Sequence, residues 1–318
     1  MIPILYLVIP CYNEEEVLPE TASRLGVKVR ALMKDGVVSE KSRICFVNDG
    51  SKDGTWGIIR SLHDSDRIYS GVNLSRNRGH QNALLAGLMT VKDLCDVTIS
   101  MDADLQDDIE AVDAMLAKYS EGFDIVYGVR SSRTTDTSFK RNTALSYYRL
   151  LEKLGVESVY NHADYRLMSR RALDGLAEFK EVNLFLRGMV PLVGFPSATV
   201  EYVRGERFAG ESKYPFRKMI AFAIEGITSL SVKPIRFITM LGVVIFIIAV
   251  IIAIVFIVQF FMHLTVPGWA STIVSIWALG GLQLFAIGII GEYIGKIYLE
   301  AKARPRFLIQ EFLDKAND

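Results

Sequence analysis

Two carboxylates follow a short apolar run at residues 97–101 and are the first candidates for chemistry. Asp102, Asp104 and the amide of Gln106 recur at every second position of this loop. Oxygen atoms spaced in this way can converge on a hard divalent cation such as Mg²⁺ or Mn²⁺. A solvated acidic turn is the alternative, because acidic loops are common. The position after a strand and the added amide favour metal binding by Asp102, Asp104 and Gln106.

Two further polar loops follow apolar runs nearer the start of the chain. Residues 10–14 read Pro-Cys-Tyr-Asn-Glu, and residues 47–55 read Val-Asn-Asp-Gly-Ser-Lys-Asp-Gly-Thr. The second loop is either a turn in which Asp53 or Thr55 caps the next helix, or a nucleotide pocket in which Asp49 binds a base or ribose. Open α/β sheets bind ligands at the carboxyl ends of their strands, so three polar loops on one rim favour the pocket.

The elements that must position these loops alternate between strands and helices. Neither the three cysteines nor the four histidines have metal-ligand spacing, and the cysteines are interpreted as reduced core thiols. The formal net charge is zero, which gives no indication of a nucleic-acid partner. Alternation predicts an α/β layer with a mostly parallel sheet. Strands are predicted at residues 4–9, 43–47, 68–74, 97–101 and 125–127, and helices at residues 15–33, 53–63 and 80–91.

Two long apolar segments lie near the end of the chain. Residues 237–262 are 26 residues without a charge, and residues 269–291 are again uncharged. A helix of the first length would span about 39 Å, and the hydrocarbon core of a bilayer is about 30 Å thick. Two transmembrane helices are therefore predicted, rather than a buried hairpin. Lys and Arg residues flank the pair and are absent from the connector, which predicts a cytoplasmic catalytic domain and cytoplasmic termini.

A shorter segment before the first span has apolar residues at helical spacing. Residues 214–231 place Arg217, Lys218 and Glu225 between these apolar positions, which predicts an amphipathic helix in the membrane interface. A helix packed on its own domain is the alternative. The predicted division is a catalytic domain at 1–210, a juxtamembrane amphipathic helix at 211–233, transmembrane helices at 234–264 and 268–294, and a cytoplasmic tail at 295–318.

The three polar loops together resemble the motifs of a known family. Residues 8–14, 47–55 and 102–107 are similar to successive signatures of glycosyltransferase family 2, whose fold is the Rossmann-like GT-A fold. The two apolar segments and residues 210–214, Gly-Glu-Ser-Lys-Tyr, resemble the polyprenyl-phosphate glycosyltransferases, which include bactoprenol glucosyltransferase and dolichol-phosphate mannose synthase. The resemblance covers nearly the whole chain. Arg78 departs from it, because an aromatic or small residue is expected there.

The resemblance implies roles for individual residues. Asp164 would act as a base or orient a sugar hydroxyl, although a phosphate nucleophile with a second pKa of about 6 needs no strong base at pH 7. The predicted catalytic residues are Asp102, Asp104 and Asp164, together with three basic residues on the acceptor side, Arg130, Arg141 and Arg207. The implied nucleotide-binding residues are Pro10, Tyr12, Asn13, Glu14, Asp49, Ser51, Asp53, Gly79, Gln81, Asp102 and Ala103.

Basic side chains would bind the phosphate of a lipid acceptor. Arginine supplies charge-assisted, bidentate donors, although a surface ion pair is the alternative for any single arginine. The position of Arg207 and Lys213 close to the membrane favours phosphate or anionic-lipid binding. The predicted ligands are Arg130, Arg141, Arg166, Arg207 and Lys213, of which Arg130, Arg141 and Arg207 form the preferred clamp.

The resulting hypothesis is an inverting glycosyltransferase of the cytoplasmic (inner) membrane. It would move glucose from UDP-glucose to undecaprenyl phosphate for modification of cell-envelope glycans. UDP-N-acetylglucosamine, GDP-mannose and a UDP-linked modified pentose stay open as donors, whereas a processive synthase is disfavoured because no Q-x-x-R-W motif is present. An inactive, membrane-tethered nucleotide-sugar sensor or scaffold is the alternative of another class. The resemblance also implies a homo-oligomer, a tetramer in some relatives, and a flippase of the lipid-linked sugar as partner.

Overall fold

The computed structural model of the protein describes residues 2–130, 162–203, 205, 233–262 and 268–314. The predicted amphipathic helix at residues 214–231 lies outside these described residues, and so do Arg141, Arg207 and Lys213. The positions assigned to them therefore stay predictions.

One mixed sheet organises the described part of the chain. Its order is β7-β5-β6-β4-β1-β2-β3-β8. Strand β1 pairs in parallel with β2 and β4, β2 with β3, and β5 with β7, whereas β6 is antiparallel to β4 and β5, and β8 to β3. The strands are β1 (Leu5–Cys11), β2 (Arg43–Asn48), β3 (Tyr69–Leu74), β4 (Val97–Ser100), β5 (Ile125–Arg130), β6 (His162–Ser169), β7 (Ser197–Tyr202) and β8 (Ile309–Leu313). The prediction of an α/β layer with a mostly parallel sheet is confirmed.

Helices cover both faces of this sheet. Successive residues of β1 point to opposite faces, so Leu7 joins a core that includes α1 residues, and Val8 joins the core beneath α3. The three cysteines are free and buried in these cores, as predicted. The helices are α1 (Leu18–Lys34), α2 (Thr55–Ser65), α3 (His80–Val91), α4 (Ala111–Ser120), α5 (Arg170–Ala177), α6 (Leu186–Leu192), α7 (Lys233–Phe261) and α8 (Trp269–Lys302).

The strand register brings the three polar loops to one edge. Cys11 lies beside Asn48 in the β1–β2 pair, and Val8 lies beside Ser100 in the β1–β4 pair. Strands β1, β2 and β4 run in the same direction, so their carboxyl ends meet at one rim. The sequence-based expectation of a shared rim is thereby confirmed.

Helices α7 and α8 occupy the two long apolar segments. Within the described residues, one stretch, Leu279–Lys302, is long and apolar enough to cross a membrane. Large apolar side chains such as Ile251 and Leu284 are exposed along both helices, which indicates contact with a surrounding apolar phase or a partner surface. A second membrane span, and with it a multi-pass arrangement, stays a prediction.

The end of the chain returns to the sheet instead of forming only a tail. Helix α8 continues to Lys302, and β8 then pairs with β3 at the edge of the sheet. The Tyr6 hydroxyl donates to Asp314 Oδ2 at 2.9 Å, and Arg60 forms an ion pair with Glu311 at 2.7 Å. The added strand covers an edge that would otherwise expose unpaired backbone groups.

Candidate active site

Hydrogen bonds join the first two polar loops to each other. Asn13 adopts a left-handed backbone conformation with φ of 55°, and its backbone N–H donates to Ser51 Oγ at 3.0 Å. The Lys52 backbone N–H donates back to Asn13 Oδ1 at 2.9 Å, and the Glu14 N–H donates to Thr55 Oγ1 at 2.9 Å. These side chains therefore shape the rim, and their direct contact with a nucleotide stays a prediction.

Helix α2 begins after Gly54, which has no side chain to cap it, and Asp53 instead binds the first helical residue, Thr55. Asp53 Oδ1 accepts from the backbone N–H of Thr55 at 3.1 Å and from the Thr55 hydroxyl at 2.6 Å. Its Oδ2 accepts from the Glu15 N–H at 3.3 Å. The Tyr12 side chain in the adjacent loop is exposed, whereas Pro10 is buried at the end of β1. Tyr12 thus offers the more accessible surface for a nucleotide base.

Asp49 connects the second loop to the start of α3. Its carboxylate is buried and accepts from the backbone N–H groups of Arg78 at 2.6 Å and Gly79 at 2.9 Å. Burial raises the pKa of Asp49, although these two hydrogen bonds act in the opposite direction. Gln81 lies in the first turn of α3, and its Oε1 accepts from the Leu186 N–H at 2.8 Å. Asp49 and Gln81 therefore hold the protein framework of the rim.

Gly50 is predicted to be essential for this arrangement. Its φ is 61°, and a Cβ atom there would lie 2.5 Å from Arg76 C and Asn77 N. Gly36, with φ of 69°, has nothing within 4 Å of such an atom, so Gly36→Ala measures the cost of the left-handed conformation alone. We expect Gly36→Ala to lose about 1–2 kcal/mol of unfolding free energy without loss of nucleotide affinity. Gly50→Ala should lose more unfolding free energy and also weaken binding of the nucleotide predicted for this rim. Denaturant unfolding and calorimetric titration would measure the two effects, and equal behaviour of the two variants would contradict this role.

The carboxylate loop after β4, residues 102–107, is held by a hydrogen bond from α1 and by hydrogen bonds within the loop. The Thr21 hydroxyl in α1 donates to the Ala103 carbonyl oxygen at 2.8 Å. The Gln106 N–H donates to Asp104 Oδ1 at 3.2 Å, and the Asp102 N–H donates to Asp107 Oδ2 at 3.3 Å. Asp102, Asp104 and Gln106 therefore share one half-buried loop, and their binding of a cation stays a prediction.

A hydrogen-bonded chain connects Arg130 to this loop. Arg130 Nε donates to the Tyr202 hydroxyl at 3.4 Å, and that hydroxyl donates to Asp107 Oδ1 at 2.6 Å. Asp107 is buried, and its other oxygen accepts the Asp102 N–H. Arg130 thus stands at the edge of the carboxylate loop, a position compatible with its predicted contact to an acceptor phosphate.

A cluster of charged side chains centres on the buried Asp164 in β6. Its carboxylate accepts from Arg166 Nη2 at 2.7 Å, and from Arg187 Nη2 at 3.1 Å and Nε at 3.3 Å. His80 Nε2 lies 3.4 Å from Asp164 Oδ2 and 3.7 Å from Asp102 Oδ1. The imidazole therefore connects the Asp164 cluster to the carboxylate loop.

The two carboxyl groups beside His80 are shifted in opposite directions. Burial alone would raise the pKa of Asp164, but the hydrogen bond to His80 and the charges of Arg187 and Arg166 hold it well below its usual range. Loss of solvent raises the pKa of Asp102 to about 6, and neighbouring carboxylates add to this increase. A carboxylate with a depressed pKa is a weak base. The contacts of Asp164 thus favour positioning over proton abstraction.

Arg166 does not fit its predicted role as a ligand of the acceptor phosphate. Its side chain is only 2% exposed, and its guanidinium is bound to Asp164 and to the Leu186 carbonyl oxygen at 3.5 Å. Burial lowers the pKa of Arg166, as expected for a cation taken out of water. Its charge instead balances Asp164 inside the protein, because a buried carboxylate needs such a partner.

Two members of the cluster, His80 and Arg187, were not predicted from the sequence. His80 has no metal-ligand spacing to another residue. Its one sequence signal is its position next to Gly79 in the polar segment at residues 76–81. Arg187 follows an apolar run at residues 184–186 and belongs to no motif. Arg187 reaches Asp164 because the start of α6 lies beside the first half of β6, where the Leu186 carbonyl oxygen also accepts from Arg166. Spacing along the chain does not reveal this contact.

A divalent cation fits the donor set of the carboxylate loop. Among the residues that the structure describes, no three His, Cys, Asp or Glu side chains converge on a site made by protein alone. Mg²⁺ is commonly held by one or two carboxylates together with substrate phosphates, so a third protein carboxylate is not required. Asp102 and Asp104 would supply these carboxylates. Loss of solvent, with a smaller contribution from neighbouring carboxylates, raises the pKa of Asp102, and a bound cation would favour its ionised form.

Comparison with known proteins agrees with this geometry. The sequence profile of the family described as glycosyl transferase family 2 matches residues 6–176. The chain is 54% identical to an uncharacterized glycosyltransferase of Bacillus subtilis (strain 168), YkoT, over 96% of this chain and 91% of that protein. It is 40% identical to the bactoprenol glucosyl transferase of Shigella phage SfX, over 96% of this chain and 98% of that protein. It is also 40% identical to the prophage bactoprenol glucosyl transferase homolog of Escherichia coli (strain K12), over 96% of this chain and 97% of that protein.

These matches confirm the resemblance drawn from residues 8–14, 47–55 and 102–107. With the parallel centre of the sheet, they also confirm a GT-A-like α/β fold. The chain belongs to glycosyltransferase family 2 and is an enzyme that transfers a sugar.

Proposed function

We propose that this enzyme transfers glucose from UDP-glucose to undecaprenyl phosphate at the cytoplasmic face of the membrane. The proposal rests on one observation: the carboxylate loop and the Asp164 cluster lie side by side on one rim of the sheet. The Asp102–Asp104 loop suits a nucleotide diphosphate with its cation, and the Asp164–Arg187 cluster lies next to it across His80. Relatives that share 40% identity over nearly the full chain are named bactoprenol glucosyl transferases, which supports a polyprenyl phosphate acceptor.

The carboxylate loop would hold the donor. Asp102, Asp104 and Gln106 would bind Mg²⁺ or Mn²⁺, which supplies Lewis-acid stabilisation of the departing diphosphate. The hydrogen bonds of Asp107 to the Asp102 N–H and of Thr21 to the Ala103 carbonyl fix the loop before the donor arrives. This preorganisation lowers the cost of placing two anions in contact.

The reaction is a single displacement at the anomeric carbon. An oxygen of the lipid phosphate forms the new bond to that carbon, and the bond to the UDP oxygen breaks with its electron pair leaving on the diphosphate. A donor with an α-linked sugar gives a β-linked product. Arg130 would bind the acceptor phosphate together with Arg141, Arg207 and Lys213, and Asp164, held by two arginines, would orient a sugar hydroxyl.

The C-terminal helices would keep this rim beside the lipid headgroups. Exposed apolar side chains on α7 and α8, and the length of the stretch Leu279–Lys302, support membrane attachment. The same proposal includes two membrane spans, a cytoplasmic catalytic domain, a homo-oligomer and a flippase that takes up the product. The predicted domain boundaries at residues 210, 233, 264, 268 and 294 also belong to it.

A donor screen tests the sugar assignment. Full-length enzyme in bilayers containing undecaprenyl phosphate and Mg²⁺ or Mn²⁺ is given UDP-glucose, UDP-N-acetylglucosamine, GDP-mannose or a UDP-linked pentose in turn. We expect UDP-glucose to give the largest amount of lipid-linked sugar, measured by mass spectrometry of the organic extract. A product from GDP-mannose alone would contradict the donor assignment. Binding of donor without any product would instead favour the sensor alternative.

A further inference from the structure

The end of α8 is hydrogen-bonded to the segment that leads into α6. Glu300 Oε2 accepts from the Val182 backbone N–H at 2.8 Å, and Oε1 accepts from the Asn183 N–H at 2.7 Å. The Asn183 side-chain amide also donates to Glu300 Oε1 at 2.6 Å and to the Lys296 carbonyl oxygen at 3.2 Å. Charged acceptors make such hydrogen bonds stronger than neutral ones. One carboxylate therefore binds three donors of residues 182–183.

A second contact ties the same segment to the chain that follows α8. Arg306 Nη1 donates to the carbonyl oxygens of Phe179 at 3.2 Å and Glu181 at 3.4 Å. Glu300 and Arg306 thus hold both sides of residues 179–183. Residues 179–183 follow α5 in the chain, and these side-chain hydrogen bonds also link them to the predicted membrane-spanning stretch.

The route from Asn183 to the reaction centre is short and well packed. Leu184, Phe185 and Leu186 are buried, so they have little freedom to absorb a displacement of Asn183. The Leu186 N–H donates to Gln81 Oε1 at 2.8 Å, and its carbonyl oxygen accepts from Arg166. The next residue is Arg187, whose guanidinium binds Asp164.

We propose that Glu300 and Asn183 are positioning residues that set the place of Arg187 against Asp164, so that the orientation of α8 in the membrane controls turnover. This inference rests on the proposed transfer to a membrane lipid. It gives α8 a role beyond anchoring, since anchoring alone would need no contact with residues 182–183. The tail has a separate attachment to the sheet through β8 and the Arg60–Glu311 ion pair.

The Arg60–Glu311 pair provides a matched control. Glu311 is a carboxylate on the same C-terminal segment and its partner Arg60 lies on α2, away from the described cluster. Glu311→Ala removes an ion pair at the surface and should leave turnover unchanged, because exposed pairs contribute little. Glu300→Ala and Asn183→Ala each remove hydrogen bonds between α8 and residues 182–183. Glu300→Gln keeps one acceptor oxygen for Asn183 and should restore part of the activity.

The experiment measures kcat and KM for the UDP-sugar with full-length variants in bilayers that contain undecaprenyl phosphate. We expect Glu300→Ala and Asn183→Ala to lower kcat about 10- to 100-fold, because a small misplacement of reacting groups has effects of this size. The KM for the UDP-sugar should stay unchanged. In the Arg187→Ala background, Glu300→Ala should cause no further loss, because both changes act through the same guanidinium.

Two results would overturn the inference. The first is a fall in kcat for Glu300→Ala that is no greater than the fall for Glu311→Ala. The second is a double variant, Glu300→Ala with Arg187→Ala, whose kcat falls by the product of the two single effects. If Glu300→Ala does not fold, the same comparisons are made with Glu300→Gln, for which an unchanged kcat is the overturning result. Absence of lipid-linked sugar with the unmodified enzyme would instead reject the proposed function, so the two failures are distinguishable.

Discussion

Replacing Asp104 with alanine is expected to lower sugar transfer by about a thousandfold or more. The carboxylate is one of two in the loop that would hold the divalent cation, and metal-ion stabilisation of a leaving diphosphate is worth several kcal/mol, with about 1.4 kcal/mol for each tenfold in rate. Asp104 Oδ1 accepts from the Gln106 N–H, and the side chain is half-buried in a loop outside the core, so the fold should tolerate the change. Initial rates with purified protein in bilayers measure the effect.

Chelation provides an independent form of the same experiment. Removing divalent cations from the unmodified enzyme should abolish transfer, and added Mn²⁺ or Mg²⁺ should restore it. The Asp104→Ala variant should not recover at the same cation concentrations. Glu110→Ala is the matched control, because Glu110 is an exposed carboxylate that pairs with Lys28 just beyond the loop. Full activity of Asp104→Ala, or of the chelated enzyme, would contradict the proposed metal site.

Replacing Asp164 with alanine is expected to damage both folding stability and catalysis. Arg166 is only 2% exposed, so the change leaves a buried guanidinium without its carboxylate partner. Losing one member of a buried pair typically costs about 3–5 kcal/mol of unfolding free energy. Arg187 and His80 would also lose the group that holds them, so transfer should fall by about a hundredfold or more. Denaturant unfolding and initial rates measure the two effects separately.

Arg187→Ala separates the catalytic effect of this cluster from its structural one. The Arg187 side chain is 35% exposed, so its removal should change stability much less than the loss of Asp164. Asp164 would keep Arg166 as a buried partner, but the rim would lose a cation next to the reacting groups. We therefore expect a large fall in kcat with a small change in unfolding free energy. Full turnover by Arg187→Ala would show that the cluster serves folding only.

Local patterns were enough to predict the centre of the fold. The strands predicted at residues 4–9, 43–47 and 97–101 correspond to β1, β2 and β4, because each is a short apolar run ended by polar residues. Strands β6, β7 and β8 were not predicted. Strand β6 is antiparallel to β4, and β7 pairs with β5 although β6, α5 and α6 lie between them in the chain. Strand β8 joins β3 only after the chain has left the sheet and returned.

The candidate site was predicted where its residues share a motif and missed where they meet only through folding. Asp102 and Asp104 lie in one loop, where their spacing, the preceding strand and the amide of Gln106 together predicted a metal site. His80 and Arg187 reach Asp164 from α3 and α6, which no local pattern connects to β6. Arg166 was assigned to the acceptor because sequence shows charge but not burial. In the folded protein its charge is used internally.

Analysis of the lipid product tests the central claim most directly. Full-length enzyme is incubated with UDP-glucose, divalent cation and bilayers that contain either undecaprenyl phosphate or undecaprenol, and the organic extract is analysed by mass spectrometry. We predict one hexose added to undecaprenyl phosphate, released by mild acid, and no product from undecaprenol. Transfer to undecaprenol, or release of free glucose with no lipid-linked sugar, would contradict a phosphate-bearing lipid as the acceptor.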